Sequence, residues 1–253
     1  VALFQHKMTD AANYAEAVLA NSSFSLASTA MDFSKNWVAG SSSPEIIFAY
    51  VNNSRASSPL NFTLYVNDTD GSWNYAPSDW CYNSLFADDN TLSRKGDVRL
   101  KATFTSQDAN RVIKYPNGTY QLAETSDYTC TPVVISRISE MYLIKAEALG
   151  KTNGAAALVE YMKKRYTTAP SEAAIKALSD KEYQTLILDE RRREFYAEGM
   201  RWQDIKRTNR LELLETLDGR TYLMYYPIPQ DEIDMAGTVA YPQNPGYAGY
   251  TGN

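Results

Sequence analysis

The sequence is poor in the residues that most often carry chemistry. It contains one histidine, His6, and two cysteines, Cys81 and Cys130, among 253 residues. A single histidine leaves little room for catalytic triads, proton shuttles or zinc sites. The cysteines are too few for a disulfide framework and lack the spacing of a metal or redox motif, although a bond between the two stays open. We therefore expect no cofactor and no metal site; only a hard ion such as calcium, held by oxygen ligands, stays open.

The sequence also lacks long apolar runs and a surplus of positive charge. No segment approaches the roughly 18 consecutive apolar residues of a membrane-spanning helix, and the N-terminus has no charged segment followed by an apolar one. The net charge of −5 would repel a phosphate backbone, because nucleic-acid binding depends on Lys and Arg displacing counterions. We expect a globular chain with no nucleic-acid partner.

Tyrosine, in contrast, is frequent: the chain has 19 Tyr, 8 Phe and 4 Trp. A tyrosine ring supplies rigid contact area while its hydroxyl stays available to water or ligand, which is typical of recognition surfaces. The alternative is a partly buried core whose hydroxyls bond to the backbone. We expect each interpretation to apply to part of the tyrosines.

The first segment, residues 1–30, has the pattern of a helix pair. Thr9–Asp10 supplies capping residues for its second helix, and apolar residues then recur at helical spacing. Those residues are Ala11, Tyr14, Ala15, Val18 and Leu19. Such a pair resembles one truncated tetratricopeptide repeat, which cannot bury its own face. We therefore expect chain before Val1 and an exposed apolar strip. The strip would consist of Leu3, Phe4, Tyr14 and Val18.

Residues 31–135 form an irregular middle region. They are rich in Ser, Asn, Asp, Gly and Pro and hold only short strand-like runs, at 45–51 and 61–66. A long irregular segment inside a compact protein is usually functional or disordered, and the aromatic residues of this one argue against disorder. We expect the region to face a ligand.

Helical patterns return in the last region, residues 136–253. The predicted helices cover 136–149, 155–166, 179–199 and 202–217. Gly150 follows the first of them, where a C-terminal cap would lie, and Ser179 with Glu182 forms a capping box at the start of the third. The sequence therefore predicts a mainly helical C-terminal half.

The tail beyond Thr221 is interrupted by prolines, which remove backbone hydrogen-bond donors. The prolines are Pro227, Pro229, Pro242 and Pro245. We predict neither a regular helix nor a regular strand between Tyr225 and Tyr247. The tail would instead wrap over helices 136–149 and 179–199 as a structural strap with little ligand contact. Its apolar anchors would be Ile228, Ile233, Tyr241 and Tyr247.

Four blocks of the C-terminal half carry a more specific pattern. They are Arg137–Leu149, Glu190–Arg207, Tyr226–Ile233 and Gln243–Tyr247. In this order and at these intervals they resemble the C-terminal signature of the SusD/RagB family. Blocks upstream, at Pro44–Phe48, Tyr75–Asp79 and Asp97–Arg99, resemble the middle region of the same family. The front departs from the family pattern, because a lipobox cysteine and most of the tetratricopeptide-like helices are absent.

The resemblance implies a mainly α, SusD-like fold with tetratricopeptide-like helices, long irregular loops and a few short strands. It also implies that residues 1–253 form a single SusD-like region lacking its N-terminal part. It implies a Bacteroidetes-type lipoprotein on the extracellular face of the outer membrane, held there only through a lipid anchor absent from this chain. It also implies a SusC-like TonB-dependent transporter as partner and non-catalytic capture of oligosaccharide for polysaccharide utilization, or of peptide in RagB-like members.

Three glutamates spaced by four, Glu190, Glu194 and Glu198, invite an enzyme interpretation. Two carboxyl groups about 5–5.5 Å apart would suit a retaining glycosidase, so a glycoside hydrolase using Glu190 and Glu194 is one alternative. Arginines crowd the same helix, however, and would hold the carboxylates ionised. These are Arg191, Arg192, Arg193 and Arg201. We expect a partly buried Arg/Glu network that fixes the third predicted helix against the first.

The candidate ligand platform lies in the middle region. A carbohydrate site needs aromatic rings that stack on the sugar and polar side chains at the edges of the rings. The segment 67–83 offers this mixture, and the residues that we predict to bind ligand are Asp70, Trp73, Asn74, Tyr75 and Trp80. As an alternative, Trp80 and Tyr82 would belong to the core, because residues 79–86 could begin a helix capped by Ser78.

Overall fold

The computed structural model describes residues 1–38, 42–51, 77–104, 112–115, 131–214, 217–236 and 241–248. It divides into two compact units, Val1–Tyr196 and Ala197–Asn253. The sequence grouped 136–253 together. The chain leaves helical geometry at this boundary, with φ of 61° at Ala197 and 78° at Gly199.

The described elements are mostly helices. In chain order they are α1 (Met8–Leu19), α2 (Ala30–Ser34), β1 (Ile46–Tyr50), β2 (Lys95–Asp97), α3 (Val98–Thr103), β3 (Val133–Arg137), α4 (Ile138–Arg165), β4 (Tyr166–Thr168), α5 (Glu172–Ala177), α6 (Asp180–Glu194), α7 (Met200–Thr208) and α8 (Gln230–Met235). The mainly α fold predicted from the sequence is confirmed.

In the first unit, α1 packs along α4, and α4 also carries α5 and α6. The buried face of α1 consists of Ala11, Ala12 and Ala15, and such small side chains let two helix backbones approach closely. The apolar strip predicted beside α1 is exposed in part, since Phe4 and Tyr14 are exposed whereas Leu3 is buried.

The long helix α4 is broken where the sequence predicts a helix end. Gly150 has φ 65° and ψ 175° inside it, a conformation that glycine adopts without the steric cost of a Cβ. The Tyr183 hydroxyl of α6 donates a hydrogen bond of 2.9 Å to the Ala146 carbonyl, in the turn before the break. A Cβ on Gly154 would lie 2.2 Å from the same carbonyl oxygen, so α4 needs glycine at 150 for its backbone conformation and at 154 for this close approach.

Helix α6 begins as predicted and ends earlier than predicted. The Ser179 hydroxyl accepts from the Glu182 amide and the Glu182 carboxylate accepts from the Ser179 amide, which completes the capping box. The helix ends at Glu194 and not at Gly199. Its end is held by Lys114, whose ammonium donates to the carbonyls of Glu194 and Tyr196 at 2.9 Å each. A cation at this position favours the negative end of the helix dipole.

Two short antiparallel sheets bring distant segments to the helices. Strand β1 pairs with β3, with Ile46 opposite Arg137 and Tyr50 opposite Val133, so the strand predicted at 45–51 is confirmed. Strand β2 pairs with β4, which places Asp97 opposite Tyr166. The sheets thus deliver Arg137, Asp97 and Tyr166 to one interior region.

The second unit corrects two predictions. Helix α7 ends at Thr208, followed by Asn209 in the left-handed region at φ 53°, whereas the sequence predicted a helix over 202–217. The tail contains the helix α8 directly after Pro229, although we predicted none there. Pro229 precedes the first helical residue, and each of the six residues of α8 has a backbone N–H, so this short helix can form.

The tail is held by side chains that bond to backbone. The Gln243 amide accepts from the Ile228 N–H at 2.7 Å and donates to the Ile228 carbonyl at 2.8 Å. Asn244 donates to the Tyr226 carbonyl at 2.8 Å, and the Tyr247 hydroxyl donates to the Tyr225 carbonyl at 2.6 Å. The block Gln243–Tyr247 therefore replaces the backbone pairing that the prolines prevent. The placement of the tail over helices 136–149 and 179–199 stays a prediction.

Candidate functional site

The predicted ligand platform lies mostly outside the described residues. Asp70, Trp73, Asn74 and Tyr75 belong to the segment 52–76, which the structure does not describe. Trp80 is described, as are the two ends from which that segment departs, at Val51 and Pro77.

Trp80 lies at the start of the helical turn that follows the platform segment. Ser78 accepts a hydrogen bond of 3.2 Å from the Cys81 amide, so the predicted cap is present and residues Cys81–Leu85 continue as a π-helix. Cys81 and Leu85 point into the core, whereas Trp80 is 40% exposed. The Arg192 guanidinium lies 4.5 Å from the Trp80 ring, a cation–π contact that fixes the ring. Trp80 is thus accessible to a ligand.

The alternative prediction placed Tyr82 in the core together with Trp80. Tyr82 is half-buried, and its ring lies 5.9 Å from the ring of Phe104. Phe104 also contacts Phe86 and Tyr196, at centroid distances of 5.3 and 4.9 Å. The core interpretation therefore holds for Tyr82, and the exposed interpretation holds for Trp80.

Strand β1 adds two aromatic residues that the sequence analysis did not propose. Phe48 is 49% exposed and Tyr50 is 61% exposed, and their ring centroids lie 5.2 Å apart at an angle of 69°. The strand leads directly into the segment 52–76. The signal was visible in the sequence, because residues two apart in a strand share a face and both positions on this face are aromatic.

Behind β1 and α6 lies a buried ionic network. Glu190 of α6 accepts from Arg99 at 2.9 Å, from Arg193 at 2.8 Å and from the Tyr166 hydroxyl at 2.6 Å. Arg99 in turn pairs with Asp97 at 2.7 Å. Both glutamate oxygens are thus occupied by donors, and the Glu190 side chain is fully buried.

Glu194, one helical turn further along α6, is also fully enclosed by cations. Its carboxylate accepts from Arg137 at 2.6 Å and from Arg165 at 2.9 Å, with Arg99 at 3.3 Å. The Tyr161 hydroxyl completes the shell at 2.8 Å. Because Arg165 and Tyr161 belong to α4, the network fixes α6 against the C-terminal part of α4. The sequence predicted an Arg/Glu network but placed its contact on the segment 136–149, which among these partners of Glu194 supplies only Arg137.

Glu45 extends the network to the strand that borders the platform. Its carboxylate accepts from Arg165 at 2.8 Å, from the Ala27 amide at 2.7 Å and from Asn36 at 3.0 Å. Its backbone carbonyl accepts from the Ile138 amide at the start of α4, at 2.8 Å. The buried charges therefore position the base of β1 relative to the helices.

The partners of the glutamates differ from those predicted. Of the arginines on the same helix, Arg193 pairs with Glu190, whereas Arg191 lies 3.5 Å from Glu140 and Arg192 lies over Trp80. Much of the positive charge comes instead from distant segments. Those residues are Arg99, Arg137 and Arg165. Consecutive residues of an α-helix are rotated by about 100° around the axis, so adjacent arginines point in different directions.

The electrostatics exclude the role of acid catalyst for this pair. Burial raises the pKa of Glu190, but the attraction of Arg99 and Arg193 outweighs burial and leaves that pKa below its ordinary value. Burial is likewise outweighed at Glu194 by Arg165 and Arg137, which hold its pKa well below the ordinary value. A general acid must be protonated near neutral pH and must reach its substrate. The geometry therefore does not support the hydrolase alternative based on Glu190 and Glu194, whose side chains are fully buried and paired with arginines.

The described residues also bear on metal binding, on the cysteines and on membrane-spanning helices. Among the described residues no group of three or more His, Cys, Asp or Glu side chains could hold a metal ion. Cys81 is a free, buried thiol, and burial raises its pKa to about 11; Cys130 lies outside the described residues. No described helix has the length and apolarity needed to span a membrane.

Comparison with known proteins assigns the fold and the family. The family model described as the SusD family matches residues 86–220. SusD-like protein P38 of Formosa agariphila is 30% identical over 142 residues, which are 51% of this chain and 27% of that protein. Surface glycan-binding protein A from Bacteroides thetaiotaomicron has a TM-score of 0.64 at 20% identity, covering 97% of this chain and 61% of that one. The same protein in complex with laminarihexaose has a TM-score of 0.62 at 20% identity, covering 96% and 61%.

These likenesses define a mainly helical protein of the SusD-like class. Since the family model covers more than half of its residues, the chain belongs to the SusD family, and the resemblance seen in the sequence is confirmed. The chain spans about three fifths of the length of these solved structures and about a quarter of the Formosa protein.

Proposed function

We propose that this chain is part of a non-catalytic protein that captures oligosaccharide at the outer-membrane surface and delivers it to a SusC-like TonB-dependent transporter. The observation that carries the proposal is membership of the SusD family. The structural neighbours of the chain include a surface glycan-binding protein in complex with laminarihexaose. Lipid anchoring, the extracellular location and the transporter partner belong to the proposal as well.

The described borders of the platform segment support the proposal on chemical grounds. Exposed Trp80 follows the segment, and the exposed pair of Phe48 and Tyr50 precedes it. Sugar rings present C–H faces to aromatic rings and hydroxyls to polar side chains. Asp70, Trp73, Asn74 and Tyr75 supply both kinds of group within the segment itself, and they are the ligand-binding residues that we propose with Trp80.

The buried charges support binding without chemistry. Glu190 and Glu194 are enclosed by arginines and have no exposed surface, so this carboxylate pair acts structurally. In the proposal, the network holds β1 and α6 in place so that the aromatic borders of the platform are preorganised for the ligand.

Calorimetric titration with a panel of neutral hexasaccharides that includes laminarihexaose tests the proposal. We expect saturable binding by the wild-type chain, and at least about tenfold weaker binding when Trp73 and Tyr75 are both replaced by alanine. Exposed Phe4→Ala is the matched control, because Phe4 is 50% exposed and lies outside the platform. If no glycan of the panel bound and peptides did, RagB-like peptide capture would replace the proposal.

A further inference from the structure

The second unit contains a cavity that the proposed function does not use. It has a volume of about 500 Å³ and is lined by Leu211, Thr221, Tyr222, Tyr225, Asn244 and Pro245. This volume lies within the roughly 300–1,000 Å³ typical of small-molecule sites. All of these residues belong to Ala197–Asn253, so the cavity is formed by one compact unit.

The aromatic wall of the cavity is held rigidly by the tail. The Tyr222 ring meets the Tyr247 ring edge to face, with centroids 5.1 Å apart. Gly246 has φ 89°, and a Cβ there would lie 2.3 Å from the Tyr222 ring. Glycine therefore lets the backbone pass directly against Tyr222. The Tyr247 hydroxyl also donates to the Tyr225 carbonyl at 2.6 Å, so the Tyr247 side chain connects the Tyr222 ring to the backbone of Tyr225.

The second wall tyrosine, Tyr225, offers an open surface. It is 60% exposed, and the Lys206 ammonium lies 5.4 Å from its ring centroid, which favours one ring orientation. An accessible aromatic ring of this kind suits stacking against a flat apolar face.

The polar groups of the lining are neutral and uncommitted. Within the described part of the chain, the hydroxyls of Thr221, Tyr222 and Tyr225 have no intramolecular hydrogen-bond partner. Asn244 uses its amide nitrogen on the Tyr226 carbonyl, which leaves its Oδ1 as an acceptor. None of the described lining residues carries a charge. In contrast, the cavity of the first unit at α4 and α6 is lined by the ion pair Lys151–Asp180, at 3.4 Å.

We infer that this cavity is a second carbohydrate site, which takes the end of a neutral oligosaccharide with a sugar ring against Tyr225 and sugar hydroxyls on Thr221, Tyr222 and Asn244. The inference rests on the proposed glycan-binding function, and it places a second contact on residues separate from the platform at 52–76. Two sites on one chain would raise the avidity for a long polysaccharide, because the second contact becomes intramolecular once the first has formed.

The test is a titration of the isotope-labelled full chain with laminarihexaose, followed by NMR at the Asn244 side-chain amide and the Gly246 N–H. We expect saturable shifts of both signals. Tyr225→Ala should weaken the affinity read at these signals by about tenfold. Tyr226→Ala is the matched control, because this neighbouring tyrosine is 87% exposed and does not line the cavity; it should leave the affinity unchanged.

The platform variant with Trp73 and Tyr75 replaced by alanine separates the two proposals. Shifts at Asn244 that persist in this variant support the second site, whatever happens at the platform. Binding that is lost in this variant without shifts at Asn244 in the wild type would leave the platform proposal standing and overturn the second site. Equal effects of Tyr225→Ala and Tyr226→Ala would overturn it too, as would shifts at Asn244 caused by peptides and not by any hexasaccharide.

Discussion

At the scale of single residues, Glu194 is the centre of the interior of the first unit. Three arginines and a tyrosine converge on one carboxylate with no exposed surface. A buried ion pair adds little net stability compared with apolar residues of the same volume, but removal of one partner leaves the others buried and unpaired. The cluster therefore makes the packing of α3, β3, α4 and α6 depend on this residue.

Glu194→Gln is accordingly expected to be strongly destabilising. The amide keeps the volume but cannot neutralise Arg137 and Arg165, and we expect a loss of about 3–5 kcal/mol in the free energy of unfolding. Urea denaturation followed by circular dichroism measures it. Glu172→Gln serves as the control, since its ion pair with Lys176 is about half exposed and should cost less than about 0.5 kcal/mol. Equal losses in the two variants would contradict the role given to Glu194.

The same carboxylates predict a dependence of stability on pH. Arginine neighbours hold the folded-state pKa of both Glu190 and Glu194 below the ordinary value of 4.5. A depressed folded pKa contributes stability that is fully present above the unfolded value and is lost as pH falls through the folded value. We expect the urea midpoint to fall steeply once pH drops below about 4.5, and the slope to be shallower in Glu194→Gln. A midpoint that stays level down to about pH 3 would refute the ionised network.

At the scale of elements, the tail illustrates how side chains substitute for backbone pairing. Gln243 is the main link, because its amide satisfies both polar groups of the Ile228 peptide. The neighbouring prolines cannot donate, so the Gln243 side chain takes the place of a ladder partner.

Gln243→Leu should therefore release the Ile228 peptide. Loss of two hydrogen bonds to a partly buried peptide costs about 1–3 kcal/mol, and we expect hydrogen exchange at the Ile228 amide to become about tenfold or more faster. Gln230→Leu is the control, because the Gln230 side chain bonds only to exposed Asp234 in the described structure. Unchanged exchange at Ile228 in the Gln243 variant would show that the contact does not hold the tail.

The sequence predicted those elements whose signals are local. The capping box at Ser179, the special backbone at Gly150 and the cap at Ser78 each involve residues within a few positions of one another, and all are present. The partners of Glu194 could not be predicted in this way, because Arg137 and Arg165 arrive through strand pairing and a long helix. The platform residues Asp70, Trp73, Asn74 and Tyr75 remain a prediction, and of the proposed ligand-binding residues only Trp80 has a described position, partly exposed to solvent.

At the scale of the whole molecule, the chain is a SusD-family scaffold. Glu45, Glu190 and Glu194 are buried in its interior, and three aromatic residues are exposed at the borders of the platform, namely Phe48, Tyr50 and Trp80. Binding of a neutral sugar needs aromatic rings and uncharged polar groups on the protein. The carboxylates of Glu190 and Glu194, which a hydrolase would use, are instead paired with arginines in the interior.

Capture of a sugar without its hydrolysis can be observed in a single experiment. Equilibrium dialysis of the chain against laminarihexaose, with mass spectrometry of the sugar after prolonged incubation, reports binding and turnover together. We predict that hexasaccharide accumulates on the protein side and is recovered intact, with less accumulation for the variant in which Trp73 and Tyr75 are alanine. Recovery of shorter oligosaccharides, or equal accumulation with the variant, would contradict the account.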